Sequence, residues 1–109
     1  MSKKVTILGA GISSLSTAAF LGKAGYDVTI LEKNSHIGGR ARQFESDGFT
    51  FDMGPSWYWM PELVDGLFDD LGEKRTDYFQ LTRLDPAYQV LWKDKTATQI
   101  PASKKELLA

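Results

Sequence analysis

Apolar and polar positions change period several times along this chain, and each change marks an element. Val5-Thr6-Ile7-Leu8 is a short β-rich apolar run ended by Gly9, the form of a strand buried on both faces. From Ile12 the spacing becomes helical, with Leu15, Ala18, Ala19 and Leu21 recurring and Gly25 as a stop. Val28-Thr29-Ile30-Leu31 repeats the first pattern and closes on Glu32. Strand, helix and strand in this order predict a βαβ unit with parallel strands.

Past a loop at 34–39, Arg42–Glu45 and Phe49–Asp52 predict two extended pieces around Ser46-Asp47-Gly48. Pro61 opens a helix whose Leu63, Val64, Leu67, Phe68 and Leu71 make one apolar stripe, ending at Gly72. Tyr78–Leu84, Tyr88–Trp92 and Thr96–Ile100 read as strands, the last two joined around Lys93-Asp94-Lys95. Ser103-Lys104-Lys105-Glu106 is a capping box that announces a helix, and only Leu107, Leu108 and Ala109 follow it. A parallel pair without further strands leaves sheet edges uncovered. The expectation is an incomplete α/β domain, a Rossmann-like segment over 1–77 followed by the start of an antiparallel sheet over 78–109.

Composition removes several functions. With 42% hydrophobic and 25% charged residues the chain is expected to fold. Its net charge of −1 gives no electrostatic case for nucleic acid. There is no cysteine, which excludes disulfides and thiolate chemistry and fits a reducing compartment. The apolar run after Lys3-Lys4 is too short for a secretory signal, and none approaches the ~18 residues of a membrane span. A cytoplasmic protein is expected, with peripheral contact with a membrane left open.

The chemistry lies in the glycines and one carboxylate. Gly9 permits a tight turn out of the first strand, and Gly11 lets backbone close on a pyrophosphate at the start of the helix. Glu32 follows about twenty residues on, where a carboxylate can accept ribose hydroxyls and disfavours a 2′-phosphate. The third small position of the fingerprint is Ser14 rather than glycine; Ser13 and Ser14 either cap the helix or donate to phosphate. Gly38-Gly39-Arg40 adds a cation beside an anionic ligand and tilts the choice from a nicotinamide dinucleotide to a flavin one. Lys33 reads as a solvated neighbour. His36 has no metal-ligand partners in its loop, and no metal site is expected. Trp57-Tyr58-Trp59-Met60 reads as core, as the lead-in to the Pro61 helix, or as a wall for an apolar ligand.

From Val5 to about Ile100 the chain resembles the carotenoid desaturases of phytoene desaturase type, within the flavin amine-oxidase-like superfamily. The resemblance is carried by Ile7-Leu8-Gly9-Ala10-Gly11, Val28 to Lys33, Ile37-Gly38-Gly39-Arg40-Ala41, Gly48 to Ser56 and Leu84-Asp85-Pro86-Ala87-Tyr88. It implies FAD. The pyrophosphate would lie on Gly9, Gly11, Ile12, Ser13 and Ser14, and the adenosine ribose on Glu32 beside Lys33. Gly38, Gly39, Arg40 and Ala41 would approach the pyrophosphate and ribityl side, and Gly54, Pro55 and Ser56 the flavin ring.

The resemblance further implies desaturation of phytoene or a related precursor in carotenoid biosynthesis. An apolar polyene would be the substrate, and an external electron acceptor would restore the flavin. It makes residues 78–109 the start of a substrate-binding domain. This chain would then be an amino-terminal piece, inactive alone and binding FAD weakly. No residue here qualifies as a catalytic acid or base. An FAD-dependent amine oxidase and a non-catalytic dinucleotide-binding remnant are the alternatives, and the Gly48 to Ser56 stretch counts against the first.

Overall fold

β1 (Lys4–Leu8) and β2 (Asp27–Leu31) pair in parallel, with Val5 opposite Val28 and Ile7 opposite Ile30. In this computed structural model, which describes residues 3–55 and 57–108, α1 (Ile12–Lys23) connects them and packs against both. The helix ends where Tyr26 N–H reaches back to the Leu21 carbonyl at 3.0 Å and Gly25 N–H to that of Gly22 at 2.9 Å. The expected βαβ unit is present. Burial on both strand faces is not. Val5, Ile7, Val28 and Ile30 are half-buried, whereas Thr6, Leu8, Thr29 and Leu31 on the opposite face are exposed. One helix covers one face of a sheet, and a parallel pair buried on both needs a second layer.

β3 (Arg42–Ser46) and β4 (Phe49–Met53) form an antiparallel hairpin. Asp47 and Gly48 both have left-handed backbone, φ +52° and +80°, the turn whose twist matches that of paired strands. Phe44 stands opposite Phe51 and stacks on it, with centroids 5.0 Å apart, which adds about 0.5–1.5 kcal/mol to simple burial. On the other face the Gln43 amide donates to Asp52 at 2.8 Å. Helix α2 (Pro61–Leu71) begins on its proline as expected and ends at Gly72, where Glu73 N–H donates to the Phe68 carbonyl at 2.9 Å. Lys23 Nζ donates to the Asp70 carbonyl, joining the ends of α1 and α2. A 3-10 turn, Arg75–Asp77, is pinned to α2 by Arg75 Nε on Asp65 Oδ1 at 2.5 Å.

The chain divides into two compact units, Met1–Asp77 and Tyr78–Ala109. In the second, β5 (Tyr88–Leu91) and β6 (Ala97–Ile100) pair antiparallel. Trp92 Nε1 donates to Thr98 Oγ1 at 2.9 Å. α3 (Lys104–Leu107) starts at the capping serine, whose Oγ accepts from Glu106 N–H at 3.5 Å. The strand expected over Tyr78–Leu84 does not form. A strand needs a neighbour for its backbone groups. β5 and β6 satisfy one another, and the adjoining residues are held by side chains instead: Arg83 donates to the Ala102 carbonyl at 2.7 Å and Asp85 accepts from Ala102 N–H at 3.1 Å.

Candidate dinucleotide site

The turn leaving β1 is tied to the end of β2 and the loop after it at three points. Gly9 N–H donates to the Leu31 carbonyl at 2.7 Å, and Gly38 N–H to the Ala10 carbonyl at 2.8 Å. Ala10 N–H donates to Glu32 Oε2, also at 2.7 Å. Gly11 and Gly38 form a parallel bridge. Gly39 then passes so close that a Cβ on it would lie 3.1 Å from the Gly11 Cα. The two glycine stretches, far apart in sequence, are one piece of backbone in the fold.

Two clefts open on this piece. One, of about 670 Å³, is lined by Gly11, Ile12, Ser13 and Ser14 from the start of α1, Gly38 to Ala41, and Gly54-Pro55. The other, of about 590 Å³, is lined by Leu8 to Gly11 and Leu31 to Asn34, with Gly39. Gly11 and Gly39 belong to both. Every candidate residue among those described lines one or the other; Ser56 lies outside the described residues. Both clefts sit at the carboxyl ends of the parallel strands, where open α/β sheets bind ligands.

α1 begins at Ile12 with Gly11 as its cap, no side-chain cap and no acidic residue in its first turn. Ser13 and Ser14 therefore stand inside the first turn, so neither is the capping serine that the sequence allows. Free N–H groups and the positive end of the helix dipole face this position, with no acidic side chain from the helix's own first turn to neutralise them. Gly11 has ordinary backbone, φ −76°, and among the described residues a Cβ there would meet no atom within 4 Å. Nothing among the described residues requires glycine at 11.

Glu32 is held from two sides. Besides Ala10, Asn34 donates to Oε1 from its backbone N–H at 2.9 Å and from its side-chain amide at 2.7 Å. The Ala10 N–H, then that of Asn34, hold the carboxyl below its ordinary value of 4.5, so Glu32 is an anion at neutral pH. Sequence reasoning misses Asn34, although a short amide two residues beyond a strand-end carboxylate is well placed to bond it. It also assigns Leu8 and Leu31 to a buried core. They are 80% and 55% exposed and form an apolar lining of the second cleft.

His36 bonds Ser35 Oγ through Nδ1 at 2.8 Å, and among the described residues no group of His, Cys, Asp or Glu is placed to hold a metal ion. Trp57, Tyr58, Trp59 and Met60 are each about half exposed or more, so they are not core. Trp57 and Trp59 stack at 5.9 Å, and partial burial raises the Tyr58 pKa, with Arg75 opposing. The sequence-based reading of this cluster as core fails: all four side chains are about half exposed or more, although Tyr58 lies near enough to Asp65 and Arg75 to feel their charges.

The family model of the NAD(P)-binding Rossmann-like domain matches residues 7–71. The chain belongs to this family. Its Rossmann-like segment contains both clefts and the β3–β4 hairpin. Across 94% of its length the chain is 47% identical to the carotenoid 3,4-desaturase of Haloarcula japonica, and across 95% it is 38% identical to the 4,4'-diapophytoene desaturase of Staphylococcus aureus strain Newman. The resemblance to carotenoid desaturases thus spans nearly the whole sequence, whereas the chain covers 21% of the length of each of these relatives. Among solved structures, a Pyrococcus furiosus protein matches 88% of this chain and 24% of its own at a TM-score of 0.61 and 26% identity. A CLA-producing fatty acid isomerase from P. acnes matches 67% of this chain and 18% of its own at 0.50 and 31%. Among the described residues no helix is long and apolar enough to cross a membrane.

Proposed function

We propose that this chain supplies the FAD-binding part of an oxidoreductase of carotenoid-desaturase type, acting on phytoene or a related apolar polyene. The observation that carries the reading is the convergence of the α1 start, Gly38 to Ala41 and Gly54-Pro55 on one cleft, joined through Gly11 and Gly39 to a second cleft that holds Glu32. The residues fit a dinucleotide. Uncapped N–H groups and Arg40 suit the pyrophosphate, and the open space at Gly11 leaves room for backbone to approach it. Glu32 suits a ribose without a 2′-phosphate, since two anions would otherwise meet. Leu8 and Leu31 suit the face of an adenine, and the second glycine stretch with its arginine favours FAD over a nicotinamide dinucleotide.

Bound FAD would supply the hydride-accepting chemistry, and the protein residues would orient it and exclude side reactions. The desaturase names of the relatives support the reaction class. The exposed Trp57 to Met60 segment is a surface on which a polyene, or the membrane dissolving it, could rest. An external electron acceptor and a cytoplasmic, membrane-peripheral setting complete the proposal. The decisive experiment is titration of the chain with FAD, NAD⁺ and NADP⁺, followed through its backbone amide resonances. FAD should bind weakly and shift Gly11, Ser13, Glu32 and Gly39 to Ala41, with NADP⁺ the poorest ligand. Preference for NADP⁺, or FAD shifts confined to residues outside both clefts, would refute the assignment.

A further inference from the structure

Trp57 and Trp59 stack with their planes within 13° of parallel and centroids 5.9 Å apart, yet they remain 54% and 68% exposed. Their contact with one another thus leaves flat ring surface open. Tyr58 between them lies near enough to Asp65 and Arg75 to feel their charges, and those two are paired, so the segment runs beside a fixed point of α2. Pro55 lines the larger cleft, and the two residues from it to Trp57 span at most about 7 Å. Neither tryptophan lines that cleft. The pair therefore stands near its edge, open to a molecule lying beside the dinucleotide rather than to the dinucleotide itself. From this geometry we infer that Trp57 and Trp59 form a stacking platform for a planar, conjugated stretch of the apolar substrate, and that they prefer it to a saturated chain of equal length.

Two physical effects give the preference. A flat π system stacks on an indole face with a gain beyond simple burial. A conjugated chain is also straight and rigid before it binds, so it gives up less freedom than a saturated chain that rotates about every bond. The charges around the pair argue against a bilayer as its occupant. Residues 57–60 include no Lys or Arg, and Glu62 in the first turn of α2 brings negative charge beside them, which an anionic leaflet repels. With a conjugated stretch on the platform, the adjoining carbons fall toward Gly54-Pro55 and the cleft they line. The platform thereby sets which part of a long chain meets the cofactor.

The inference rests on the apolar-substrate reading above, and the test separates the two. The probes are all-trans-parinaric acid, a conjugated straight-chain acid, stearic acid, its saturated counterpart of equal length, and phosphatidylcholine vesicles. Fluorescence of the conjugated acid reports its binding to the full chain, and its displacement reports that of stearic acid. The conjugated acid should bind about three- to tenfold more tightly. Trp57→Leu and Trp59→Leu keep an apolar side chain but remove the flat ring. In each the preference should fall below about twofold while affinity for stearic acid holds, and Trp59→Phe should keep most of it. Equal affinities in the unaltered chain, an undiminished preference in both leucine variants, or vesicle binding that those variants lose would overturn the platform while the apolar-substrate reading stands. Binding of neither acid would instead overturn that reading for this face, and the platform with it.

Discussion

Gly54 and Arg40 touch through their backbones: a Cβ added to Gly54 would lie 2.0 Å from the Arg40 carbonyl oxygen. Gly54 also holds φ at +131°, a conformation that residues with side chains rarely adopt. The contact fixes the end of the β3–β4 hairpin against the arginine that lines the larger cleft. Gly54→Ala should therefore cost about 2 kcal/mol or more, because clash and backbone strain add. For a chain of this size that lowers the thermal midpoint by roughly 10 °C, measurable by circular dichroism. An alanine variant with an unchanged midpoint would mean that the hairpin end is free to move.

Gly11 and Gly39 separate ligand from fold. Among the described residues a Cβ on Gly11 meets no atom within 4 Å, whereas one on Gly39 meets the Gly11 Cα at 3.1 Å at a φ of +62°. Gly11→Ala should leave stability within about 0.5 kcal/mol of the original, or raise it through a stiffer unfolded chain. Its affinity for FAD should nonetheless fall by about tenfold or more, since the new methyl occupies space that the pyrophosphate would use. Gly39→Ala should reduce stability and affinity together. Paired thermal and titration measurements on the two variants decide it, and equal stability losses would remove the argument for an external ligand at Gly11.

The elements that local rules control are legible in the amino-acid sequence. Short apolar runs locate β1 and β2, helical periods locate α1 and α2, and Ser46-Asp47-Gly48 marks the first hairpin turn. Glycine spacing and Glu32 bring together the residues that line the two clefts. What fails needs knowledge of neighbours. Leu8 and Leu31 look like core in sequence, but whether a strand face is covered depends on a layer elsewhere. Tyr78–Leu84 has strand composition without a partner for its backbone. Asn34 escapes notice because its role is a pair of hydrogen bonds to one oxygen, which no spacing rule encodes.

Lys95 sits at φ +68° in the turn between β5 and β6. Its N–H donates to the Trp92 carbonyl at 3.0 Å, and Trp92 N–H to that of Thr96 at 2.9 Å, a three-residue hairpin loop with a left-handed third position. Glycine suits that position best. Lys95→Gly should stabilise the hairpin by about 0.5–1 kcal/mol, the relief of side-chain strain exceeding the added freedom of the unfolded chain. Slower hydrogen exchange at Val90 and Thr98 would register it, and faster exchange would contradict it.

Glu32 links the site to pH with a definite sign. Its folded pKa lies below the ordinary 4.5 because Ala10 and Asn34 donate to the ionised form. Below 4.5 the unfolded chain binds the proton first, so the stabilisation is complete above that value and is lost as pH falls through the depressed folded pKa. Asp94, held down in the same way by Thr96, behaves alike but is present in any variant at position 32 and cancels in comparison. Glu32→Gln does not titrate and sets an amide NH₂ or a weaker acceptor against the Ala10 N–H. The original chain should exceed this variant in stability at about pH 6, and the margin should shrink toward about pH 3. Denaturant unfolding at both pH values tests the sign, and a margin that grows on acidification would show that the Glu32 clamp does not depend on its charge.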